Sequence, residues 1–310
     1  MNIGYHQPLY LLPFDHRHSY LTGMFGFTPP LTADQRVVVA DSKQLIYEGF
    51  RHGLGGDLPA SRAGILVDEE FGADILRDAR ARGYVTALST EKSGSDEFEF
   101  EHGSAFAEHI RAFDPRFAKA LVQYNPESDA ALNQRQTGRL KQLSEHCRSV
   151  FQRLMFELLV PATGAQMDRV HGNKAAYDLE VRPELMLRTI QALQDAGVEP
   201  DVWKIEGLDR REDCERIVAT ARRGGRGDVG CIVLGHGADE QKVVQWLKVA
   251  ASVPGFIGFA VGRTTFWDAV ADYVGKRTTR PEAVSRIAAR YREWAAIFSQ
   301  GADAMKVAHR

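Results

Sequence analysis

At 310 residues, with 44% hydrophobic and 26% charged side chains, the chain can bury a large core. Its formal net charge of -2 supplies no general attraction for nucleic acid or for an anionic membrane. The three cysteines, Cys147, Cys214 and Cys231, are widely spaced, which excludes a disulfide framework or a zinc-type cluster and suits a reduced compartment. No run approaches about 18 apolar residues and the first residues lack a charged-then-apolar signal pattern, so a cytoplasmic protein is expected.

Eight short apolar or β-branched runs follow one another: residues 9–14, 64–67, 85–89, 118–124, 154–160, 202–205, 230–234 and 256–261. Helical patterns separate most of them. Thr32-Ala33-Asp34-Gln35 starts a helix that runs to about His52. Residues 130–148 carry Leu132, Leu140 and Leu143 near helical spacing. A helix over 183–196 stops at Gly197, and segments 239–250 and 281–298 read similarly. Near-continuous apolar strands alternating with helices predict a parallel sheet covered by helices. Eight units predict an α/β fold of the (β/α)8 TIM-barrel type, one domain over 1–310. The rival, an open doubly wound sheet, lacks a G-x-G-x-x-G after its first strand. Gly53-Leu54-Gly55-Gly56 is a weak phosphate-cradle signal that plain loop flexibility explains equally well.

Within this pattern, Asp201-Val202-Trp203-Lys204-Ile205-Glu206-Gly207 puts a lysine inside an apolar strand. A buried ammonium loses its hydration unless paired or neutralised. Alternation places Val202, Lys204 and Glu206 on one face and Trp203 and Ile205 on the other. Desolvation favours the free amine, the nucleophile that attacks a carbonyl to form an imine. Glu157, inside Met155-Phe156-Glu157-Leu158-Leu159, is a second internal charge of opposite sign. The alternative for either group is a structural ion pair, such as Lys204 with Glu206. Together an amine and a carboxylate facing one cavity supply a nucleophile and a proton shuttle.

Chemistry in such a barrel collects at the carboxyl ends of the strands. Those ends carry Asp15-His16-Arg17-His18, Asp68-Glu69-Glu70, Glu91-Lys92-Ser93-Gly94, Gln123-Tyr124-Asn125, Gly235-His236-Gly237-Ala238-Asp239 and Gly262-Arg263-Thr264. Lys92 is a candidate second cation beside Lys204, or a surface ion pair. Gly235, His236, Gly237, Gly262 and Arg263 have the make-up of the phosphate site that follows strands seven and eight, with turn chemistry alone as the alternative. Asp15, Arg17, Gln123, Asn125 and Glu206 are candidate substrate contacts. His16 and His18 with Asp15 could ligate a metal, but no third clustered histidine or cysteine supports it, and none is expected.

The ordered phrases Leu12-Pro13-Phe14-Asp15-His16-Arg17, Asp68-Glu69-Glu70-Phe71-Gly72, Ser89-Thr90-Glu91-Lys92-Ser93-Gly94, Trp203-Lys204-Ile205-Glu206-Gly207-Leu208 and Gly258-Phe259-Ala260-Val261-Gly262-Arg263 resemble the tagatose-bisphosphate aldolase group of class I aldolases. That group also covers sulfofructose-phosphate aldolases. The chain looks most like the aldolase domain fused behind 5-dehydro-2-deoxygluconokinase in bacterial inositol-degradation proteins, here with the kinase expected to be absent or on another polypeptide. The resemblance implies Lys204 as the Schiff-base residue and Glu157 as the strand-five carboxylate of proton transfer. It puts Lys92 and Asp15 in the active-site lining, and Gly235, Gly262 and Arg263 at the phosphate.

For the inositol pathway it further implies cleavage of 2-deoxy-5-keto-gluconate 6-phosphate to dihydroxyacetone phosphate and malonate semialdehyde. The partner is then a small-molecule sugar phosphate, with no cofactor, and a homo-oligomer stands as an analogy only. Departures bear on the sugar. Ile205-Glu206-Gly207-Leu208 replaces a Val-Glu-Val-Pro-like stretch, His16 replaces a usual glutamine, and Gly-His-Gly replaces Ser-Ala-Gly after strand seven. The rivals are an aldolase for tagatose bisphosphate or a sulfosugar phosphate, and a non-catalytic sugar-phosphate-binding barrel.

Overall fold

All eight apolar runs become strands, and their order in the sheet is their order in the chain. A computed structural model describes residues 3–56 and 58–308; of the expected domain, residues 1, 2, 57, 309 and 310 lie outside the described residues. The units are β1 (Leu9–Pro13) and α1 (Ala33–Gly53), β2 (Ala63–Val67) and α2 (Glu69–Ala81), β3 (Val85–Ser89) and α3 (Phe106–Phe113), β4 (Phe117–Gln123) and α4 (Ala130–Ser149). They continue as β5 (Arg153–Leu159) and α5 (Arg182–Asp195), β6 (Val202–Glu206) and α6 (Arg211–Ala221), β7 (Gly230–Leu234) and α7 (Glu240–Ala251), β8 (Phe256–Ala260) and α8 (Arg263–Val274). A final helix, α9 (Arg280–Ala308), follows. Every neighbouring pair is parallel and β8 pairs with β1, so the sheet closes into the expected (β/α)8 barrel.

Local chemistry accounts for the element ends. Thr32 caps α1 through the Gln35 N–H, and the Gln35 side chain accepts from Thr32 N–H at 2.9 Å, a reciprocal capping box. Asp68 caps α2 by accepting from Phe71 N–H at 2.9 Å, and it is ion-paired with buried Lys43 of α1. The barrel closes tightly at one glycine. A Cβ on Gly258 would lie 1.8 Å from the Leu9 carbonyl oxygen, so only glycine lets β8 reach β1.

The interior is layered by strand alternation. Leu9, Leu11, Leu66, Phe117, Met155, Val202 and Ile232 fill its lower part, while Trp203, Ile205 and Phe156 pack outward under the helices. Two residues further along the inner face of β4, β5 and β6, the apolar set Phe117, Met155 and Val202 gives way to Lys119, Glu157 and Lys204.

Two features exceed the expectations. Helix α9 runs to Ala308, ten residues past the expected end at 298, and seals the wall: Tyr291 donates to the Tyr10 carbonyl at 2.7 Å and Trp294 to Thr265 Oγ1 at 3.0 Å. An irregular helical turn, Leu21–Phe25, follows β1 and packs the Phe25 ring edge-to-face against Tyr20. Gly53 ends α1 and Leu54-Gly55-Gly56 opens the α1–β2 connection, at the end of the barrel opposite the strand carboxyl termini, so the phrase takes no part in the site. The three cysteines are buried free thiols, each pushed up to about 12 by burial. No helix among the described residues is long and apolar enough to cross a membrane.

Candidate active site

The polar layer is a chain of charges. Lys204 and Glu157 are register partners on β6 and β5, with Lys204 Nζ 2.6 Å from Glu157 Oε1. The other carboxylate oxygen, Oε2, lies 2.8 Å from Lys119 Nζ. Glu157 thus bridges two lysines. Lys119 also touches Asp15 Oδ2 and Glu91 Oε1, each at 2.8 Å. The Lys119 side chain is 0% exposed and that of Lys204 4%, so these charges interact with little water between them.

Their ionisation follows from burial set against charge. Burial alone would lift Asp15 and Glu157, but the ammonium of Lys119, with that of Lys204, outweighs it and holds both carboxyls below their usual range. Burial would lower Lys119; Asp15, Glu157 and Glu91 together push it up instead, so it stays an ammonium across the physiological range. Glu91 is different. Burial dominates there and raises its carboxyl despite Lys119 and Arg17. His16 is pushed down to about 4, chiefly by burial, and its Nδ1 is buried without a hydrogen-bond partner. A neutral imidazole with a free ring nitrogen is therefore held in the cavity wall.

Two contiguous cavities meet at this layer. One, about 320 Å³, opens between Asp15, His16, Arg17, Glu91, Gln123 and Phe98. The other, about 280 Å³, opens toward Gly235, His236, Gly237, Gly262, Arg263 and Thr264. His16, Glu157 and Lys204 line both. The second has the features of an anion pocket. Gly262, Arg263 and Thr264, at the amino-terminal end of α8, line it, and a helix start with an arginine favours an anion. Gly237 has φ +71°, and a Cβ there would lie 2.6 Å from Arg263 Nη2, so glycine lets the loop close on the guanidinium.

Several candidates take other places than expected. Lys92 lines the first cavity only at its rim: its ammonium pairs with Glu99 at 3.2 Å and its side chain is 57% exposed, the surface ion pair that stood as its alternative. The cation beside Glu157 is Lys119. In the extended segment after β3, neighbouring side chains point oppositely, so Glu91 turns inward to Lys119 and Lys92 outward. Asn125 is held behind the wall. Its amide donates to the Pro161 carbonyl at 2.8 Å and to Gln166 Oε1 at 2.7 Å, tying a loop behind the wall. Lys204 pairs with Glu157 rather than with Glu206. Glu206 accepts from Val160 N–H at 3.0 Å and meets His236 Nδ1 at 2.8 Å, so it orients the strand-seven loop. Arg17 lines the first cavity, but its Nη1 is taken by Glu101 at 2.5 Å and its Nη2 by the Glu91 carbonyl at 2.6 Å. Asp15 and Gln123 do line the first cavity.

Lys119 and Glu91 are the residues that sequence reasoning missed. Lys119 carried the same signal as Lys204, a lysine inside the apolar strand Phe117-Ala118-Lys119-Ala120-Leu121.

The fold and this centre define a TIM barrel with a buried lysine–carboxylate–lysine array at the carboxyl ends of its strands. Residues 4–302 match the family described as "Uncharacterized protein conserved in bacteria (DUF2090)", and the chain belongs to that family. No curated protein matches the chain. Among solved structures it is similar to Cgl0159 from Corynebacterium glutamicum, with TM-score 0.54, 15% identity, and coverage of 94% of this chain and 88% of that one. It is also similar to the YdjI aldolase from Escherichia coli K12, with TM-score 0.51, 10% identity, and coverage of 94% and 92%. At these identities the likeness establishes a common fold.

Proposed function

We propose that this protein is a class I aldolase, a carbon–carbon lyase that forms a Schiff base between Lys204 and the ketone of a sugar phosphate. The observation that carries the reading is the placement of Lys204 Nζ 2.6 Å from Glu157 Oε1, where two cavities meet. The likeness to an aldolase barrel agrees with it.

The chemistry is derived from these groups. An ammonium cannot attack a carbonyl, and Glu157 is the acceptor for the Lys204 proton as substrate enters. The amine adds to the ketone, Glu157 returns a proton to the carbinolamine hydroxyl, and water leaves. The protonated imine takes up the electron pair when the adjacent carbon–carbon bond breaks, giving an enamine and an aldehyde. The hydroxyl on the departing carbon loses its proton to Glu157, while the free Nδ1 of His16 accepts a substrate hydrogen bond. Protonating the enamine and hydrolysing the imine releases dihydroxyacetone phosphate and restores Lys204. Lys119, a fixed ammonium, keeps Glu157 ionised and in place.

The phosphate sits in the Gly235–Gly237 and Gly262–Thr264 cavity and the departing aldehyde in the other. The aldehyde side carries Asp15, Glu91, Asp96 and Glu97, which oppose a second phosphate dianion. It also carries Lys92 on the rim and the buried, unpartnered Nε of Arg17, which suit a single carboxylate. A keto sugar acid phosphate, 2-deoxy-5-keto-gluconate 6-phosphate, is the preferred substrate over tagatose bisphosphate or a sulfosugar phosphate. A panel of these phosphates, assayed for dihydroxyacetone phosphate release, tests the reading. Turnover of the sugar acid above the others supports it; release from none of them refutes the lyase.

A further inference from the structure

Outside both cavities, three side chains converge on the same rim of the barrel. Glu69 stands in the first turn of α2, His102 lies in the β3–α3 connection and His109 is on α3. His102 Nε2 is 3.1 Å from Glu69 Oε2, and His109 Nδ1 is 2.8 and 2.9 Å from the two Glu69 oxygens. The two imidazoles stack face to face, 3.5 Å between centroids and 2° from parallel. One ligating atom from each residue lies within 4.8 Å of the others, and among the described residues no other such group of three occurs.

We propose that Glu69, His102 and His109 bind one zinc ion, which clamps the β3–α3 connection to the start of α2. Two histidine nitrogens and one carboxylate oxygen are a zinc ligand set, with water completing a tetrahedron. With zinc–ligand bonds of about 2.0–2.1 Å, tetrahedral ligand atoms stand roughly 3.3 Å apart, so the Glu69 contacts need only a small expansion, while the stacked rings must turn so that each nitrogen lone pair meets the ion in its own ring plane. Neutral imidazole is the ligating form, so zinc binding strengthens as pH rises. One carboxylate and two nitrogens are too few oxygens for calcium or magnesium.

The clamp has a firm side and a consequence. Glu69 follows Asp68, which is fixed by its cap on α2 and by Lys43. His102 follows Glu101, whose carboxylate receives Arg17 Nη1 at 2.5 Å and Ser93 N–H at 3.3 Å. Zinc on His102 therefore fixes the segment that holds Arg17 at the mouth of the first cavity. The inference does not rest on the lyase reading.

Full-length protein stripped with a chelator and titrated with Zn²⁺ against a chromogenic competitor tests it. Wild type binds one equivalent, His102→Ala and His109→Ala each bind at least about tenfold more weakly, and hydrogen exchange over residues 99–109 slows on zinc addition in wild type alone. Absence of a bound equivalent, variants with unchanged affinity, or exchange indifferent to zinc would each overturn the proposal. Should the variants not fold, zinc-soaked crystals of wild type decide it by anomalous diffraction. A peak among the three side chains supports the site, and a peak elsewhere or none refutes it.

Discussion

Lys119 is the residue on which the centre's balance of charge turns. It touches three carboxylates, Asp15, Glu91 and Glu157, and is itself inaccessible. Removing one partner of a buried ion pair leaves uncompensated charge, a loss of about 3–5 kcal/mol. Lys119→Met is predicted to lose about that much in chemical denaturation and to abolish activity; stability within 1 kcal/mol of wild type would contradict the charge chain. The pH dependence has a defined sign. Asp15 and Glu157 are depressed, so their contribution is present above the ordinary carboxylate range and is lost as pH falls through their folded values. Lys119 is raised, so its contribution is present below its ordinary value and disappears only as pH rises through the folded one. His16 is depressed from 6.5 to about 4, so as pH falls between those values the unfolded chain takes a proton that the folded one refuses. His16→Gln is predicted to flatten the loss of stability between pH 7 and pH 4 and to raise KM more than it lowers kcat. An unchanged acid limb would mean that His16 is not buried neutral.

At the scale of elements, burial on both faces made the strands readable, since a parallel barrel strand is a continuous apolar run. The same property explains what was hidden. A lysine inside such a run shows that something unusual is buried but not which strand it faces. Lys204 was legible for that reason, whereas Lys119 was masked by the more conspicuous Glu91-Lys92-Ser93-Gly94 phrase after β3. One step along an extended segment reverses the side chain, and that single step separates Glu91, on Lys119, from Lys92, on Glu99. Asn125 shows the same ambiguity, because a polar residue past a strand end can tie loops as well as bind substrate. The Glu69, His102 and His109 cluster draws on two helices and a connection, a juxtaposition that only the fold creates. The β1–β8 seam gives the element-scale prediction. Gly258→Ala puts a methyl against the Leu9 carbonyl and is predicted to destabilise by about 3 kcal/mol or more, read by urea denaturation. A loss below about 0.5 kcal/mol would show the seam to be looser than described.

For the whole molecule, the barrel brings eight strand ends to one face, and the chemistry is divided across it. Glycine-rich loops with Arg263 follow β7 and β8, the lysine–carboxylate–lysine array occupies β4 to β6, and the acidic and arginine contacts follow β1 and β3. On the proposed aldolase reading, this division orients a sugar phosphate with its ketone over Lys204. Arg263→Ala is predicted to raise KM for the phosphorylated substrate at least about tenfold with a smaller change in kcat, since a charge-assisted contact contributes about 1.5–3 kcal/mol. Steady-state kinetics would show it, and an unchanged KM would move the phosphate elsewhere. The central claim is the imine. Protein treated with borohydride and the keto sugar acid phosphate, then digested and weighed by mass spectrometry, should carry one reduced adduct on the peptide containing Lys204, absent in Lys204→Met. An adduct on another lysine, or none with any keto-sugar phosphate that the protein binds, would contradict it.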